Sequence, residues 1–278
     1  MEDQGPYTVA QLAAQGLSPA QVTELLAQGR LRRVARLWLA ERLTSADAIR
    51  ALQLGGRLGC VSACRHHGLW VPPDRDLHVA INPRVTLPVN PPAGVRFHRL
   101  ATPCPTAVLP LDAAVAQVVH RHDVETGLIV LESAVNSRRM HEADARHILS
   151  RLPTRKARAA QHFSPLAQSG SETRLRLFFQ RRRIPVEPQA FIPGVGRVDL
   201  LVGRSWILEA DSAAHHAAPQ DVMVDRARDV NARIEGYDRD RLSFEQIWHT
   251  WPQTQEYLLA RARTRHHLRP PEPLHRTA

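Results

Sequence analysis

Three acidic residues lie within or at the end of two short apolar runs and constrain the fold of the chain more than any other feature. Residues 197–202 and 205–211 each have the length and apolar content of a short β-strand, and a two-residue turn separates them. Glu209 and Asp211 are two apart, so they project from the same face, and across the hairpin Asp199 can reach the same place. Carboxylates on buried strands are unfavourable unless something compensates their charge.

Two kinds of partner can provide that compensation. Mg²⁺ binds one or two carboxylates together with water and phosphate oxygens, and this geometry favours a divalent cation, with Mn²⁺ as a substitute. Alternatively, the acids pair with the many arginines. Glu172, upstream of the strands, also has two interpretations. It can join the acidic site, or it can close a capping box with Ser169 at the start of a helix.

The segments around these acids predict a compact α+β core. In order, the pattern is a helix, three strands, a helix, a strand and a helix, which indicates a small mixed sheet flanked by helices. The predicted ranges are 174–183, 186–192, 197–202, 205–211, 219–235, 242–244 and 245–263.

The first forty residues have the pattern of a winged helix-turn-helix. Thr8 and Ser18-Pro19 are helix-start signals, and Gly29 ends the second helix. Residues 30–39 alternate basic and apolar side chains, as a β-ribbon wing does. This predicts DNA contacts from Arg30, Arg32 and Arg33. The alternative is a helical hairpin used for packing or dimer formation.

The middle of the chain predicts mixed α/β structure without a catalytic constellation. Helices are expected at 46–54, 61–66, 111–119, 124–135 and 142–152, strands at 77–81 and 95–100, and a basic linker at 153–168. The predicted domains are therefore a winged helix at 1–45, a middle segment with linker at 46–160, an acidic-site domain at 161–265 and a basic, proline-rich tail at 266–278.

Cys60 and Cys64 stand beside His66 and His67, and these residue types are zinc ligands. However, the spacing is not that of a zinc knuckle, and no second ligand pair follows. A shared buried helical face is therefore the favoured interpretation of the two cysteines. Three cysteines in total do not form a disulfide framework, which suits a reducing compartment.

The charge balance favours a polyanionic partner. The chain has 37 Lys and Arg against 27 Asp and Glu, a formal net charge of +10, and cationic surface attracts a phosphate backbone. Because Lys156 is the sole lysine, a GC-rich genome is an alternative source of the arginine bias. No apolar run is long enough to span a membrane, and the polar N-terminus predicts a cytoplasmic location. No small-molecule cofactor is expected, and the oligomeric state stays open.

Five short motifs carry a family resemblance. Residues 169–250 resemble domain-of-unknown-function family 559, which is similar to the very-short-patch-repair endonucleases of the PD-(D/E)XK superfamily. Residues 8–40 resemble the winged-helix domain of AbiEi-type antitoxins. The motifs of the first resemblance are Ser171-Glu172-Thr173, Val198-Asp199-Leu200, Ile207-Leu208-Glu209-Ala210-Asp211-Ser212 with His216, Asp225-Arg226-Ala227-Arg228-Asp229, and Leu242-Ser243-Phe244-Glu245-Gln246-Ile247.

The resemblance implies a restriction-endonuclease-like core and Mg²⁺-dependent phosphodiester hydrolysis. Asp199 and Glu209 would be the central metal ligands, and Glu172 would lie on the flanking helix. Asp211 and His216 would be accessory ligands or proton carriers. In one departure, Asp211 stands where the superfamily usually has a lysine, which makes His216 the candidate substitute. Arg226 and Arg228 would then stabilise charge on the phosphate.

The sequence therefore predicts a metal-dependent DNA endonuclease or nickase with an N-terminal DNA-binding module. The alternative is a non-catalytic transcriptional regulator, similar to an antitoxin, with a degenerate nuclease domain. RNA is not excluded as the substrate, although few aromatic residues are present to stack unpaired bases.

Overall fold

The computed structural model describes residues 5–86, 90–211 and 219–274, and only the backbone of residues 219–226. The chain divides into two compact units, residues 1–122 and 123–278, which we call the N-terminal unit and the C-terminal unit. Both combine helices with small sheets, so the fold class is α+β, as predicted. Over the described ranges, no helix is long and apolar enough to cross a bilayer.

The N-terminal unit begins with two short helices and a β-ribbon. Thr8 and Ser18 each cap a helix through a reciprocal capping box with the glutamine three residues later. The ribbon strands pair antiparallel in the order β1-β3-β2. The elements are β1 (Tyr7–Thr8), α1 (Val9–Ala14), α2 (Pro19–Ala27), β2 (Leu31–Ala35) and β3 (Trp38–Glu41). The helix-turn-helix and ribbon pattern is therefore present where the sequence predicts it.

A second sheet completes the N-terminal unit. Its order is β4-β5-β6, with β4 antiparallel and β6 parallel to the central strand β5, which is buried along its whole length. The elements are α3 (Ala46–Gln53), β4 (Arg57–Leu58), α4 (Cys60–His66), β5 (Leu77–Ile81), β6 (Val95–Arg99) and α5 (Leu111–Arg121). Sequence patterning missed β1 and β4 because each has two residues, too few to show a period.

The C-terminal unit opens with helices that the sequence assigned partly to a linker. They are α6 (Val124–Asn136), α7 (Glu142–Ser150), α8 (Thr154–Ala159), a 3₁₀ turn (Ala160–His162) and α9 (Gly170–Gln180). Glu132 on α6 is buried and accepts two hydrogen bonds from Arg176 on α9, at 2.6 and 2.8 Å. It also accepts the Ser164 N–H. This buried pair joins α6 to α9, so the unit boundary lies at 122 rather than near 160.

A four-stranded mixed sheet forms the centre of the C-terminal unit. The strand order is β10-β9-β8-β7. β8 pairs antiparallel with both β7 and β9. β10 runs parallel to β9 because α10 crosses over between them. The elements are β7 (Val186–Ile192), β8 (Gly196–Val202), β9 (Trp206–Asp211), α10 (Pro219–Ile234), β10 (Asp238–Ser243), α11 (Phe244–Trp248), α12 (Trp251–Arg263) and a 3₁₀ turn (His266–Leu268). The predicted small mixed sheet flanked by helices is confirmed.

Two boundaries in this unit differ from the prediction. β10 begins at Asp238, four residues before the predicted start, because its alternating acidic and arginine residues hide the strand pattern. The predicted final helix is two helices, α11 and α12, and Pro252 stands in the first turn of the second. Proline suits a helix start, where its missing N–H has no carbonyl partner to lose.

Both faces of this sheet are covered by apolar side chains. Phe179 of α9 packs on one face with Trp206 and Leu208 of β9. On the other face, Ala232 of α10 packs with Ile207. Because the strands are fixed on both sides, polar side chains in β8 and β9 are held in set positions relative to α9 and β10.

Candidate functional site: an acidic cluster

Three of the predicted acidic residues converge in the C-terminal unit, and we call Glu172, Asp199 and Glu209 the acidic cluster. They come from α9, β8 and β9. The Asp199 N–H donates to Glu209 Oε2 at 3.1 Å, and the Ala210 N–H donates to Asp199 Oδ2 at 2.9 Å. Each strand therefore holds the carboxylate of its neighbour, as the hairpin prediction requires.

The electrostatics of the acidic cluster are unfavourable to its full ionisation. Burial raises the pKa of Asp199 to about 8, and the charges of Glu209 and then Glu172 add to the effect. Burial also raises the pKa of Glu172, although hydrogen bonds from Gln168, Ser169 and Gln189 oppose the shift. Like charges in a poorly solvated place disfavour the ionised form. A cation bound here would therefore be stabilising.

Glu172 takes part in the cluster rather than closing a capping box. Ser169 is the N-cap of α9 and accepts the Glu172 N–H at 3.2 Å. The Glu172 carboxylate is buried and accepts the Gln168 N–H at 2.9 Å and the Gln189 side-chain amide at 2.8 Å. Ser169 therefore caps α9, as the capping alternative requires, but the Glu172 carboxylate does not complete the capping box.

Gln189, which sequence patterning missed, lies on β7 opposite Asp199. The flanking register pairs are Pro188 with Leu200 and Ala190 with Val198. Gln189 has φ +53°, in the left-handed region that non-glycine residues rarely adopt. Strained residues of this kind cluster at functional sites. Here the strained backbone directs the side-chain amide toward Glu172, and nothing in the sequence indicates that conformation.

Arg239 on β10 is hydrogen-bonded to the acidic cluster. Its guanidinium donates to Glu209 Oε1 at 3.0 Å and also to Asp229, and its side chain is only 6% exposed. Arg241, two residues along the strand, donates to the same Asp229 oxygen at 3.1 Å. The signal in the sequence was the alternation of arginines at 239 and 241, which places both on one face of a strand. The arginine-pairing alternative therefore holds for Glu209.

Asp211 follows the acidic cluster along β9, and Arg228 lies at ion-pair distance from it. Asp211 is the last residue of β9, as predicted, and is exposed, whereas Glu209 is buried; the shared-face prediction could not distinguish the exposure of the two side chains. Arg228 donates from Nε to the Val195 carbonyl at 3.2 Å and also to the Arg197 carbonyl, and it lies 3.9 Å from Glu209 Oε1. His216 and the side chain of Arg226 lie outside the described residues.

The arginines predicted to contact DNA belong to the N-terminal unit. Arg32 and Arg33 lie on β2 and Arg30 immediately precedes it, and all three are exposed. Arg33 donates a hydrogen bond to the Arg36 carbonyl at 2.9 Å. Their exposure on a ribbon is compatible with phosphate contacts.

The N-terminal unit contains a second cluster that sequence reasoning missed. Cys60, His78, His98 and His122, which we call the Cys/His cluster, offer ligand atoms that all lie within 4.8 Å of one another. Of the four residues that are close together in the sequence (Cys60, Cys64, His66 and His67), only Cys60 belongs to this cluster. Cys60 and Cys64 are both buried on α4, as predicted, and His66 is exposed. The available signal was His78, a histidine in the middle of a strongly apolar strand.

Comparisons with known proteins do not identify a family for this chain. No protein-family model matches the chain, and no curated protein matches it. The chain is similar to the RV2827C protein from Mycobacterium tuberculosis, known as a crystal structure, with 18% identity and a TM-score of 0.30. That match covers 64% of this chain and 75% of the other. A likeness this distant carries no argument about activity, so the family resemblance of the motifs stays a prediction.

Proposed function

We propose that the chain is a metal-dependent DNA endonuclease or nickase and that the acidic cluster is its active site. The observation that supports this most directly is the convergence of Glu172, Asp199 and Glu209 from a helix and two neighbouring strands. Burial, and then the charges of Glu209 and Glu172, raise the pKa of Asp199. Perturbed carboxylates of this kind are characteristic of functional sites, although structural ion pairs also produce them.

The donor set fits a hard divalent cation. All donors of the acidic cluster are carboxylate oxygens, which suit Mg²⁺ and Mn²⁺. Asp199 and Glu209 would hold the ion, since their carboxylates are joined through the backbone of adjacent strands. When bound, such an ion neutralises phosphate charge and lowers the pKa of a coordinated water.

Residues around the acidic cluster would hold its carboxylates in place and supply positive charge. Gln189 and the Gln168 N–H hold the Glu172 carboxylate at the edge of the site. Arg239 fixes Glu209 and brings a permanent positive charge close to the position of the phosphate. Arg239 would then supply a cation in a site where Asp211 replaces the superfamily's usual lysine. Asp211 and His216 as accessory groups, and Arg226 and Arg228 as phosphate ligands, remain part of the proposal.

The proposed DNA-binding module is the N-terminal helix-turn-helix and ribbon. Arg30, Arg32 and Arg33 present exposed guanidinium groups there, and the whole chain has a formal net charge of +10. Arginine forks bind phosphate oxygens in pairs and position a protein on a duplex without reading its sequence. These features support DNA as the partner and give no role to a small-molecule cofactor.

A cleavage assay with the full-length chain tests the proposal. Supercoiled plasmid, linear DNA and RNA are incubated with Mg²⁺, Mn²⁺ or a chelator. Asp199→Asn and Glu209→Gln should each reduce metal-dependent DNA cleavage on the order of 10³-fold, equivalent to about 4 kcal/mol of transition-state stabilisation. Glu187→Gln, an exposed acid on the adjacent strand β7, is the matched control and should cleave at the wild-type rate. Cleavage that survives the Asp199→Asn, Glu209→Gln double substitution excludes this active site.

A second candidate function is a non-catalytic DNA-binding regulator. The ion pair between Arg239 and Glu209 favours it, because a cation already compensates one of the carboxylates. On this alternative, no metal supports cleavage, and the chain protects a specific DNA segment in a footprint. Arg32→Ala with Arg33→Ala should abolish that footprint, whereas Arg151→Ala with Arg155→Ala, also exposed, should retain it.

A further inference from the structure

The Cys/His cluster brings four donor atoms from four separate segments of the N-terminal unit into one place. Cys60 Sγ lies 3.1 Å from His122 Nε2, and His98 Nε2 lies 2.9 Å from His78 Nδ1. The His78 ring stacks against the rings of both other histidines, with centroids 4.9 and 5.3 Å apart. The four donor atoms therefore lie in one small volume instead of being spread along a surface.

The backbone at Gly59 and Cys60 allows the Cys60 thiol to lie close to the histidines. The Gly59 N–H donates to the His78 carbonyl at 2.9 Å, which joins the start of α4 to β5. A Cβ at Gly59 would lie 2.7 Å from the Cβ of Ala80, so a larger residue could not stand so close to the strand. Cys60 itself has φ +50°, a conformation that costs energy for a residue with a side chain. This strain places the thiol beside the histidines.

Strand pairing places two of the histidines together. β5 and β6 are parallel neighbours, with His78 opposite Arg96 and Ala80 opposite His98. His78 and His98 are thus diagonal neighbours on the same face of the sheet, since alternate residues of a strand share a face. Their juxtaposition follows from the fold and could not be inferred from their separation of twenty residues.

An acidic residue behind His78 orients its ring. Asp74 Oδ2 lies 3.2 Å from His78 Nε2, on the side of the ring away from the cluster, and Asp74 Oδ1 accepts the Asp76 N–H at 2.9 Å. A proton on Nε2 directed at Asp74 leaves Nδ1 unprotonated toward the other donors. Metal-binding histidines commonly have such a carboxylate partner on the second ring nitrogen, which fixes the tautomer and makes the ligand more basic.

We propose that Cys60, His78, His98 and His122 bind one Zn²⁺ ion and form a structural metal site. One thiolate and three imidazoles are a donor set that zinc takes in tetrahedral geometry. Ligands about 2.0 to 2.3 Å from a tetrahedral ion lie roughly 3.3 to 3.8 Å from one another. The observed spacing, from 2.9 Å to no more than 4.8 Å, brackets that range. Zinc binding releases the Cys60 thiol proton to solvent.

Four protein ligands leave no open coordination position, so the site is structural, not catalytic. It would tie together α4, β5, β6 and the end of α5, which carries His122. The site belongs to the N-terminal unit and does not depend on the proposed nuclease activity.

Zinc and cobalt binding to the full-length chain test the proposal. The protein is stripped with chelator, titrated with Zn²⁺ against a chromophoric competitor, and separately loaded with Co²⁺. We expect one equivalent of zinc per chain, and a tetrahedral cobalt spectrum with a thiolate charge-transfer band. Cys60→Ala and His98→Gln should each weaken binding at least about a hundred-fold. Cys104→Ala and His66→Gln, which alter residues outside the cluster, should keep wild-type affinity and spectrum.

The opposing possibility is a metal-free network in which the Cys60 thiol and the His98 N–H donate hydrogen bonds to neighbouring imidazoles. Wild-type protein that takes up no zinc, or cobalt-loaded protein without a charge-transfer band, would establish that network and overturn the proposal. Unchanged affinity in His98→Gln would do the same. Should Cys60→Ala fail to fold, the cobalt spectra of wild type and Cys104→Ala still show whether a thiolate other than Cys104 binds the ion.

Discussion

The two clusters of this molecule differ in the charge of the groups that they bring together. The acidic cluster gathers like charges, so that burial and mutual repulsion raise the pKa of Asp199 to about 8. The Cys/His cluster gathers neutral donors whose nitrogen and sulfur atoms lie at hydrogen-bonding distances from one another. In the first, Arg239 compensates only Glu209 and the other carboxylates stay unfavourable without a further cation, whereas the second can persist without a metal ion. Donor chemistry also separates the expected ions, with oxygen for Mg²⁺ and nitrogen with sulfur for Zn²⁺.

A strained backbone conformation nevertheless occurs at both clusters. Each contains a non-glycine residue in the left-handed region, Gln189 at φ +53° and Cys60 at φ +50°. In each case the strained residue directs a polar side chain at its neighbours in the cluster. Local strain is retained where the surrounding structure over-determines it, and here that structure is a sheet in both units.

The largest expected difference between the two clusters is the loss of stability when zinc or Mg²⁺ is removed. Zinc at 1,000 times its Kd should stabilise the N-terminal unit by about 4 kcal/mol, whereas Mg²⁺ at ten times its Kd should stabilise the C-terminal unit by about 1.4 kcal/mol. Hydrogen exchange of the full-length chain, read separately for residues 1–122 and 123–278, measures both effects. Zinc protection in the C-terminal unit, or Mg²⁺ protection in the N-terminal unit, would mean that the donor sets are wrongly assigned.

Arg239 offers a sharper test of the acidic cluster. Arg239→Ala leaves the buried Glu209 carboxylate without its guanidinium partner, and we expect a loss of about 3 kcal/mol in unfolding free energy without metal. Mg²⁺ should recover more stability in this variant than in wild type, because it meets a less compensated carboxylate. Urea unfolding with and without Mg²⁺ gives the comparison. Arg241→Ala, which alters the neighbouring arginine on β10, is the control, and an equal Mg²⁺ effect in all three proteins would place the ion away from Glu209.

The sequence predicts the acidic cluster because its residues lie on adjacent strands with a period of two. Asp199 and Glu209 interrupt apolar runs, and a short turn determines that the two strands pair. The same reasoning placed Asp211 with Glu209 and ended the strand at Asp211, but it could not show that Asp211 is exposed while Glu209 is buried. Arg239 was missed because an alternation of acidic and basic residues gives no apolar pattern, so β10 was predicted too short.

The Cys/His cluster could not be predicted in this way. Cys60 and His122 are 62 residues apart, and His78 and His98 meet because β5 and β6 pair in parallel across a long connection. Long-range pairing of this kind leaves no local trace in the sequence. Proximity along the chain instead suggested Cys64, His66 and His67, of which His66 is exposed to solvent.

The metal-free units should respond to pH in opposite directions. Asp199 has a folded-state pKa near 8, above its ordinary value of 3.8, so its contribution to stability is present below about pH 4 and is lost as the pH rises through 8. His78 and His98 have folded-state pKa values near 4, below the ordinary 6.5. Their contribution is present above pH 6.5 and is lost as the pH falls through 4. At about 1.4 kcal/mol for each pKa unit between the folded and the ordinary value, each change should be on the order of several kcal/mol.

Hydrogen exchange in the presence of chelator, at several pH values between 4 and 8, measures the two dependences in one sample. Asp199→Asn should remove the loss of stability at rising pH from the C-terminal unit and leave the N-terminal unit unchanged. Parallel pH dependence of the two units would show that the clusters do not determine it.

The smallest expected effect concerns the strained residue beside Glu172. Gln189→Ala and Gln189→Gly both remove the amide that donates to Glu172, but only glycine relieves the left-handed backbone. Glycine should therefore be the more stable substitution by about 1 kcal/mol, measured by urea unfolding. At Phe191, an exposed residue of the same strand without a left-handed φ, the order should reverse, since glycine ordinarily weakens a strand. Alanine equal to or better than glycine at both positions would mean that Gln189 carries no strain, and that its direction toward Glu172 is set by the hydrogen bond alone.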